Sequence, residues 1–238
     1  MLHALSTHPR PLARPRARGQ ALAGARLTGG EAAGRHLLTL PDTGLRATTG
    51  LVRAALGNIL AERLVSARVV DLFAGAGSLG LEALSRGAAR ATFVELQRAH
   101  AGVIEANLEM LGFQARGEVV VGDALSWVRR LEPALRAADV VLLDPPYRDH
   151  GPELCVAVVE RLGAVAERLP DWNPLVVVEH HRQLPMPPAP GALSCVRTAR
   201  YGTTELSFYQ RRTSTTPLEG RGLRAAALRP GLPRPRHQ

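Results

Sequence analysis

Four consecutive residues, Asp144-Pro145-Pro146-Tyr147, combine groups that could act on the amine of a nucleic-acid base. The two prolines remove backbone donors and fix the turn, so the Asp144 carboxylate and the Pro145 carbonyl form a rigid set of acceptors. An exocyclic amine is a poor nucleophile because its lone pair is delocalised into the ring. If the two acceptors bind the hydrogens of the amine, the lone pair of its nitrogen points toward a methyl donor, while Tyr147 stacks on the base. We therefore predict that these four residues are catalytic.

The tetrad also fits a simpler structural interpretation, in which a Pro-Pro turn ends a buried strand and Tyr147 packs in the core. A glycine-rich segment upstream in the same predicted sheet favours the functional interpretation. If the tetrad is catalytic, the target base must be unstacked or flipped to reach it.

The glycine-rich segment runs from a strand ending near Asp71 through a turn into a helix at about Gly80. Its spacing, Gly75-x-Gly77-x-x-Gly80 with Glu95 further on, also matches the fingerprint of dinucleotide-binding enzymes. Asp71 favours a different ligand, because a carboxylate suits the ammonium and sulfonium of S-adenosylmethionine, which has no pyrophosphate. The residues predicted to form this part of a cofactor site are Asp71, Phe73, Ala74, Gly75 and Gly77.

Two more acids stand at the ends of predicted strands. Glu95 could accept both hydroxyls of a ribose, with Leu96 beside it, and Asp123 could lie near an adenine, with Ala124 beside it. Asp123 also fits an ordinary N-cap of the following helix. Because the carboxyl ends of parallel strands meet at one crevice, we predict that Glu95, Leu96, Asp123 and Ala124 complete the cofactor site.

The elements that must position these residues alternate short β-branched runs with longer amphipathic stretches, which predicts a βαβ series around a parallel sheet. The predicted strands are Arg68–Leu72, Ala91–Glu95, Glu118–Val121, Val140–Asp144 and Leu175–Glu179. The predicted helices are Leu79–Arg86, Arg98–Leu111, Ala124–Leu131 and Glu153–Arg168. Glycines that favour left-handed caps follow two of these helices, at Gly87 and Gly112.

The flanking segments differ in character from the alternating middle. Leu193–Thr198 and Glu205–Gln210 predict an antiparallel closing pair of strands. The Gly-rich stretch Leu22–Leu40 predicts an irregular hairpin, followed by a helix at about Thr49–Leu64.

Size and composition predict one main domain, because 238 residues with 45% hydrophobic content can bury one substantial core. Cys155 and Cys195 lie far apart without metal-ligand spacing, so we expect no disulfide, no metal site and a reducing, cytoplasmic setting. No apolar run approaches the length of a membrane span, so we expect a protein without a membrane partner.

The net charge of +9 suggests an anionic partner, yet its location matters more than its total. Residues 1–26 carry five arginines and no acid, and residues 211–238 carry seven arginines against one acid, Glu219, so the middle of the chain is slightly acidic. These Pro- and Ala-rich segments predict disordered tails. Either the arginines of the tails bind phosphates, or the arginine content of the tails reflects compositional bias alone.

These motifs, in this order, resemble the RsmD-type 16S ribosomal RNA guanine-N2 methyltransferases. The resemblance covers roughly residues 26–211. Its parts are Gly29-Gly30, Gly34-Arg35, Leu45-Arg46-Ala47-Thr48-Thr49, Val52-Arg53, the segments Asp71 to Gly80 and Leu81 to Ala88, Glu95, Asn107, Asp123, the Asp-Pro-Pro-Tyr tetrad and Tyr201-Gly202. The chain departs from the family pattern at Ala47, Gly50 and Ala54, where the family has Pro, Asp and Glu, and its Gly-Arg-rich stretch is thinned to Ala33-Gly34-Arg35.

The resemblance implies a Rossmann-like class I methyltransferase fold, with a mostly parallel seven-stranded sheet, an antiparallel C-terminal strand pair and a small N-terminal hairpin extension. It implies S-adenosylmethionine as cofactor and methylation of 16S ribosomal RNA of the guanine-966-N2 type. Ribosomal RNA in a partly assembled small subunit would be the partner of a monomeric enzyme. The residues implied to contact RNA are Arg35, Arg46, Thr48, Thr49 and Arg53.

The expected organisation is a tail over residues 1–21, the hairpin and helix extension over 22–66, the methyltransferase domain over 67–211 and a tail over 212–238. Three other functions stay open. An adenine- or cytosine-N DNA methyltransferase could use the same tetrad, although no target-recognition domain is visible. A dinucleotide-dependent oxidoreductase would leave the tetrad without a role. A non-catalytic RNA-binding assembly factor would explain the departures from the family pattern.

Overall fold

The computed structural model describes residues 22–40, 50–146 and 151–212. The predicted tails lie outside these residues except for Arg212, as do Arg46, Thr48, Thr49 and Tyr147 of the predicted site.

A seven-stranded sheet forms the centre of the molecule, in the strand order β5-β4-β3-β6-β7-β9-β8. Its strands are β3 (Arg68–Leu72), β4 (Arg90–Glu95), β5 (Gly117–Val121), β6 (Val140–Leu143), β7 (Leu175–His181), β8 (Leu193–Tyr201) and β9 (Thr204–Arg211). The first five are parallel, β9 runs antiparallel to β7, and β8 runs antiparallel to β9. The predicted mostly parallel sheet with an antiparallel closing pair is therefore confirmed.

Helices cover both faces of the sheet, which is why β3 and β6 are apolar on both sides. The helices are α1 (Gly50–Ile59), α2 (Ala61–Leu64), α3 (Ser78–Ser85), α4 (Arg98–Leu111), α5 (Ala124–Arg129), α6 (Pro133–Arg136) and α7 (Gly151–Arg168). One apolar cluster joins α1, α3 and α4 to the sheet, and a second joins α5, α6 and α7 to the opposite face.

The small N-terminal hairpin consists of β1 (Leu22–Arg26) paired antiparallel with β2 (His36–Thr39). It docks on α3, where both oxygens of Glu82 accept hydrogen bonds from Thr28, at 2.8 Å from its amide and 2.6 Å from its hydroxyl. Arg86 donates to Glu82 at 2.7 Å and closes the cluster. Gly30 is required here, because its φ is +80° and an added Cβ would lie 1.8 Å from the carbonyl oxygen of Ser85.

Asn107 of α4 fixes the other end of the hairpin. Its side chain is fully buried and exchanges two hydrogen bonds with the backbone of Leu38, at 2.7 and 3.1 Å. The same amide donates to the carbonyl of Ala76 in the glycine-rich turn at 3.1 Å. The hairpin is thus joined directly to the loop that was predicted to hold a cofactor. Because hairpin and α1 side chains share the apolar cluster of α3 and α4, the division into units 22–66 and 67–211 stays a prediction.

The structure differs from the predicted elements in a few places. The helix expected at about Thr49–Leu64 is divided at Leu60 into α1 and α2. The short helix α6 was not predicted, because it has only four residues and begins at a Glu-Pro step that suggests a loop. Gly87 and Gly112 have φ of +102° and +76°, which confirms the left-handed conformation predicted at both.

Among the described residues, no helix has both the length and the hydropathy needed to cross a membrane. Those residues also contain no group of three or more histidine, cysteine, aspartate or glutamate side chains arranged to hold a metal ion.

Candidate cofactor and base-binding site

Carboxylates stand at the carboxyl ends of five neighbouring strands. Following the sheet order, they are Asp123 after β5, Glu95 on β4, Asp71 on β3, Asp144 after β6 and Glu179 on β7. Four were predicted as site residues, and parallel topology brings them to one edge as expected. A role for Glu179 was not predicted, although its position after an apolar strand is the same signal that singled out the others.

The glycine-rich turn between β3 and α3 has a contorted backbone. Phe73, Gly75 and Gly77 all have positive φ, at +64°, +56° and +84°. An added Cβ at Gly77 would lie 3.2 Å from Leu81 and 3.3 Å from Ile104. A non-glycine residue with positive φ, such as Phe73, is costly and is typical of functional loops. The turn is therefore held open by local geometry rather than by a regular element.

Glu95 shapes this turn directly. One of its oxygens accepts a hydrogen bond from the amide of Gly75 at 2.8 Å, and the other accepts from the amide of Gln97 at 2.8 Å. His100 of α4 is also close, with Nδ1 at 3.7 Å from the carboxylate. Each carboxylate oxygen can accept more than one hydrogen bond, so the hydroxyls of a ribose could still be bound.

Asp71 is an internal anchor of the turn. Its side chain is 1% exposed, and one oxygen accepts a hydrogen bond from the amide of Gly80 at 2.8 Å. The other oxygen is buried without a hydrogen-bond partner. The pKa of Asp71 is raised to about 8, mainly by burial; the Gly80 amide lowers it, and the charges of Asp144 and Glu95 add to the rise. Its direct contact with a cationic ligand stays a prediction.

The pKa of Asp71 gives the first prediction, on stability. Since the folded protein holds this proton more tightly than the unfolded chain, ionising Asp71 opposes folding, and its contribution to the free energy of unfolding falls as pH rises from about 4 to about 8. Asp71→Asn keeps an acceptor for Gly80 but cannot ionise. We expect urea unfolding at the two ends of that range to show a flatter pH dependence in this variant. The exposed Asp139→Asn should leave the dependence unchanged, and equal slopes for Asp71→Asn and the wild type would contradict the assignment.

Asp123 caps the next helix. Its side chain accepts a hydrogen bond from the amide of Ser126 at 2.8 Å, which confirms the N-cap interpretation. Beside it, Leu96 is 67% exposed and Val121 is 43% exposed, at the ends of the neighbouring strands β4 and β5. Large apolar side chains so exposed at the ends of two neighbouring strands form a surface suited to a flat ring. Ala124 is buried behind Asp123.

The described part of the tetrad lies where β6 ends, next to this turn. Asp144 is half-buried, Pro145 is buried and Pro146 is exposed. The backbone at Gly151, the first residue of α7, packs closely against Pro146, since an added Cβ on Gly151 would lie 1.7 Å from the carbonyl oxygen of Pro146. The position of Tyr147 is outside the described residues.

The described arginines predicted to contact RNA occupy different environments. Arg35 is exposed on the hairpin and donates to the carbonyl of Met110 at 2.8 Å. Arg53 is only 2% exposed and donates to the carbonyl of Arg26 at 3.1 Å. A contact between Arg53 and RNA stays a prediction. The Val-Arg pattern did not indicate that this guanidinium bonds to the backbone of the hairpin.

The strand order, the glycine-rich turn after β3 and the closing antiparallel strands define a Rossmann-like class I methyltransferase fold. A family described as "Conserved hypothetical protein 95" matches residues 25–210. The chain belongs to this family, and the RsmD-type resemblance drawn from its motifs is confirmed. The relative named "Ribosomal RNA small subunit methyltransferase D" from Escherichia coli is 36% identical over 186 residues, which are 78% of this chain and 89% of the relative.

Solved structures share this fold. The one described as "Putative methyltransferase yhhF from Escherichia coli" has a TM-score of 0.64 and 33% identity, covering 78% of this chain and 97% of its own. The RNA methyltransferase from Salinibacter ruber in complex with S-adenosyl-L-homocysteine has a TM-score of 0.51 and 15% identity, covering 73% of this chain and 98% of its own. The second likeness concerns the fold alone.

Proposed function

We propose that this protein transfers a methyl group from S-adenosylmethionine to the exocyclic N2 amine of a guanine in 16S ribosomal RNA, of the guanine-966-N2 type. The observation that carries the proposal is the adjacency of two features on neighbouring strands. The glycine-rich turn braced by Glu95 follows β3, and the Asp144-Pro145-Pro146 rim follows β6. The names of the family's relatives support ribosomal RNA as the substrate.

The residues at the edge fit this cofactor. The cofactor supplies an electrophilic methyl group on a sulfonium. The turn offers backbone groups at Phe73, Ala74, Gly75 and Gly77 to the amino-acid part, and Asp71 is buried beneath it, where the cationic groups of the ligand would favour its ionised form.

The other end of the cofactor would follow β4 and β5. Glu95 accepts the ribose hydroxyls, and the exposed side chain of Leu96 packs on the adenine. Asp123 and Ala124 border the same ring from β5, where Asp123 keeps one oxygen beyond its capping bond. Ribose recognition by a carboxylate and ring packing on an apolar side chain together favour an adenosine-containing ligand.

The tetrad would act on the base. The Asp144 carboxylate and the Pro145 carbonyl accept the two amine hydrogens, so that the nitrogen directs its lone pair at the methyl carbon. Pro146 keeps the rim rigid, and Tyr147 stacks on the ring. The new N–C bond would form as the C–S bond breaks, with the electron pair returning to sulfur, and the nitrogen would then give one proton to the Asp144 carboxylate, which passes it to water.

Contacts to RNA outside the base would come from the hairpin side. Arg35 is exposed there, and Arg46, Thr48 and Thr49 belong to the segment that joins the hairpin to α1. These groups suit phosphate contacts, which position the substrate without reading its sequence. Of the departures from the family pattern, Ala47 falls in the same segment, and Gly50 and Ala54 lie in the first half of α1 that follows it. We therefore expect them to alter RNA contacts more than chemistry.

Titration calorimetry with intact protein tests the cofactor. We expect heat on adding S-adenosylmethionine or S-adenosylhomocysteine and none on adding NADH. Binding of NADH with no response to the other two ligands would instead favour the dinucleotide interpretation of the glycine-rich turn.

A further prediction concerns the arginine tails and the form of the substrate. We propose that a monomer acts on a partly assembled small subunit, and that the tails add salt-dependent affinity without choosing the base. Removing residues 1–20 and 213–238 should flatten the salt dependence of RNA binding and leave the methylated position unchanged. Initial rates on deproteinised RNA, assembly intermediates and mature subunits provide the comparison. A faster reaction on deproteinised RNA, or a new position after truncation, would contradict this proposal.

A further inference from the structure

Arg53 lies on the buried face of α1, between the hairpin and the sheet. Its guanidinium donates to the carbonyl of Arg26 at the end of β1. The side chain borders an open cavity of about 630 Å³ under the hairpin, and also a small cavity shared with Glu82 and Leu142. Arginine in such a position is costly unless anionic groups surround it.

Three carboxylates, each from a different part of the fold, are the anionic groups near Arg53. Burial lowers the pKa of Arg53, and the charges of Glu82 on α3, Glu179 on β7 and Asp144 after β6 all act in the opposite direction. Glu82 is already paired with Arg86, whose Nε lies 2.7 Å from its carboxylate. Among these carboxylates Glu82 acts on Arg53 most strongly, followed by Glu179 and then Asp144, so the charge of Arg53 is shared among all three.

The register of the sheet places Asp144 and Glu179 next to each other. Leu142 pairs with Val177 and Leu143 pairs with Val178 in the parallel strands β6 and β7. Leu142 and Val177 belong to the apolar cluster on the α1 face, and side chains two residues further along a strand return to that face. Two carboxylates on adjacent strands at this spacing repel each other, which would favour protonation of one of them.

We propose that Arg53 is a positioning residue for Asp144, which it keeps ionised and oriented by neutralising Asp144 and Glu179 together. The inference rests on the proposed methyl transfer, in which the Asp144 carboxylate must accept an amine hydrogen. It gives Arg53 a role inside the site, while the contact between Arg53 and RNA stays a prediction. Glu179 becomes the second acid of the same charge cluster.

Two other titratable groups face Asp144. Asp71 lies on β3, and burial raises its pKa to about 8. Cys155 lies on α7, and burial, followed by the charge of Asp144, raises its pKa to about 12. Burial favours the neutral form of both groups, so among the described residues Arg53 and Glu179 are the charged neighbours whose substitution should shift the ionisation of Asp144 most.

The test compares Arg53→Gln, Arg53→Lys and Glu179→Gln with the wild type, using single-turnover methyl transfer at saturating cofactor across the pH range. Arg53→Gln should slow transfer at least about tenfold at neutral pH and move the acid limb of the profile upward by about one pH unit. Arg53→Lys should recover part of the loss, and Glu179→Gln should move the limb downward. The exposed Arg168→Gln, on the opposite layer, should match the wild type, and cofactor affinity should stay within about threefold in every variant.

The proposal would be overturned if the acid limb were unchanged in Arg53→Gln. It would also be overturned if Arg53→Gln slowed methyl transfer equally at every pH and Arg53→Lys did not restore the rate. If Arg53→Gln does not fold, the other two variants test the proposal. Shifts of the acid limb in opposite directions in Arg53→Lys and Glu179→Gln would support it, and pH profiles identical to that of the wild type would reject it. If the wild type methylates no nucleic acid, the proposed function has failed. The charge cluster of Arg53, Asp144 and Glu179 can then be tested separately, through the pH dependence of the free energy of unfolding. Without Arg53 the free energy of unfolding should fall more steeply as pH rises through the carboxylate range, and adding Glu179→Gln should reduce that slope. No change in slope would reject the cluster.

Discussion

Asp144→Ala is expected to slow methyl transfer by at least about a hundredfold, because removing one preorganised group at a reacting centre commonly costs this much. Cofactor affinity should change by no more than about threefold, since the proposed partner of Asp144 is the base rather than the ligand in the turn. Single-turnover transfer beside a cofactor titration measures the two effects separately. The amine would still meet the Pro145 carbonyl but would lose its second acceptor.

Variants of Tyr147 refine this result. Tyr147→Ala should slow transfer less than Asp144→Ala because the acceptors remain, and Tyr147→Phe should have a mild effect if stacking is the role of the ring. The exposed Asp139→Ala, before β6, is a matched control that should leave transfer unchanged. Near-normal transfer by Asp144→Ala would mean that the tetrad is only a turn.

Glu95→Ala should weaken cofactor binding by about 1–3 kcal/mol, the range for losing a hydrogen bond to a charged group. The structure adds a second cause, because Glu95 also holds the Gly75 amide at 2.8 Å and its loss releases the turn. Calorimetry with S-adenosylmethionine gives the affinity, and the exposed Glu118→Ala on the neighbouring strand is the control. Glu95→Gln separates the two causes, since its amide oxygen can still accept from Gly75.

If Glu95→Ala binds the cofactor as tightly as the wild type, Glu95 contacts no ribose. If Glu95→Gln binds as weakly as Glu95→Ala, the carboxylate charge matters more than support of the turn. Recovery in Glu95→Gln would show instead that the main contribution is the shape of the turn.

The sheet could be predicted because its strands are encoded locally. Runs such as Arg68–Leu72 are rich in apolar, β-branched residues and are bounded by turn residues, so the strand pattern can be recognised without knowledge of tertiary contacts. The break at Leu60 depends on packing, since no glycine or proline stands there. Helix α6 is too short for a periodic signal, and Pro133 at its first turn is equally compatible with a loop.

The candidate site was predictable where its residues occupy equivalent places on successive strands. Asp71, Glu95 and Asp144 each follow an apolar run, and parallel topology places such residues at one edge. Asn107 and Arg53 were harder, because their partners lie far away in the sequence. Asn107 bonds to Leu38 and Ala76, contacts that no local pattern encodes.

The most direct measurement of the central claim is the identity of the methylated nucleoside. Purified protein would be incubated with labelled S-adenosylmethionine and small-subunit particles from cells lacking it, and digested RNA would be separated by chromatography against standards. We expect label in N2-methylguanosine, with no label when Asp144→Ala is used. Label in a methylated adenine or cytosine, transfer to DNA in preference to RNA, or no transfer to any nucleic acid by folded, cofactor-binding protein would contradict it.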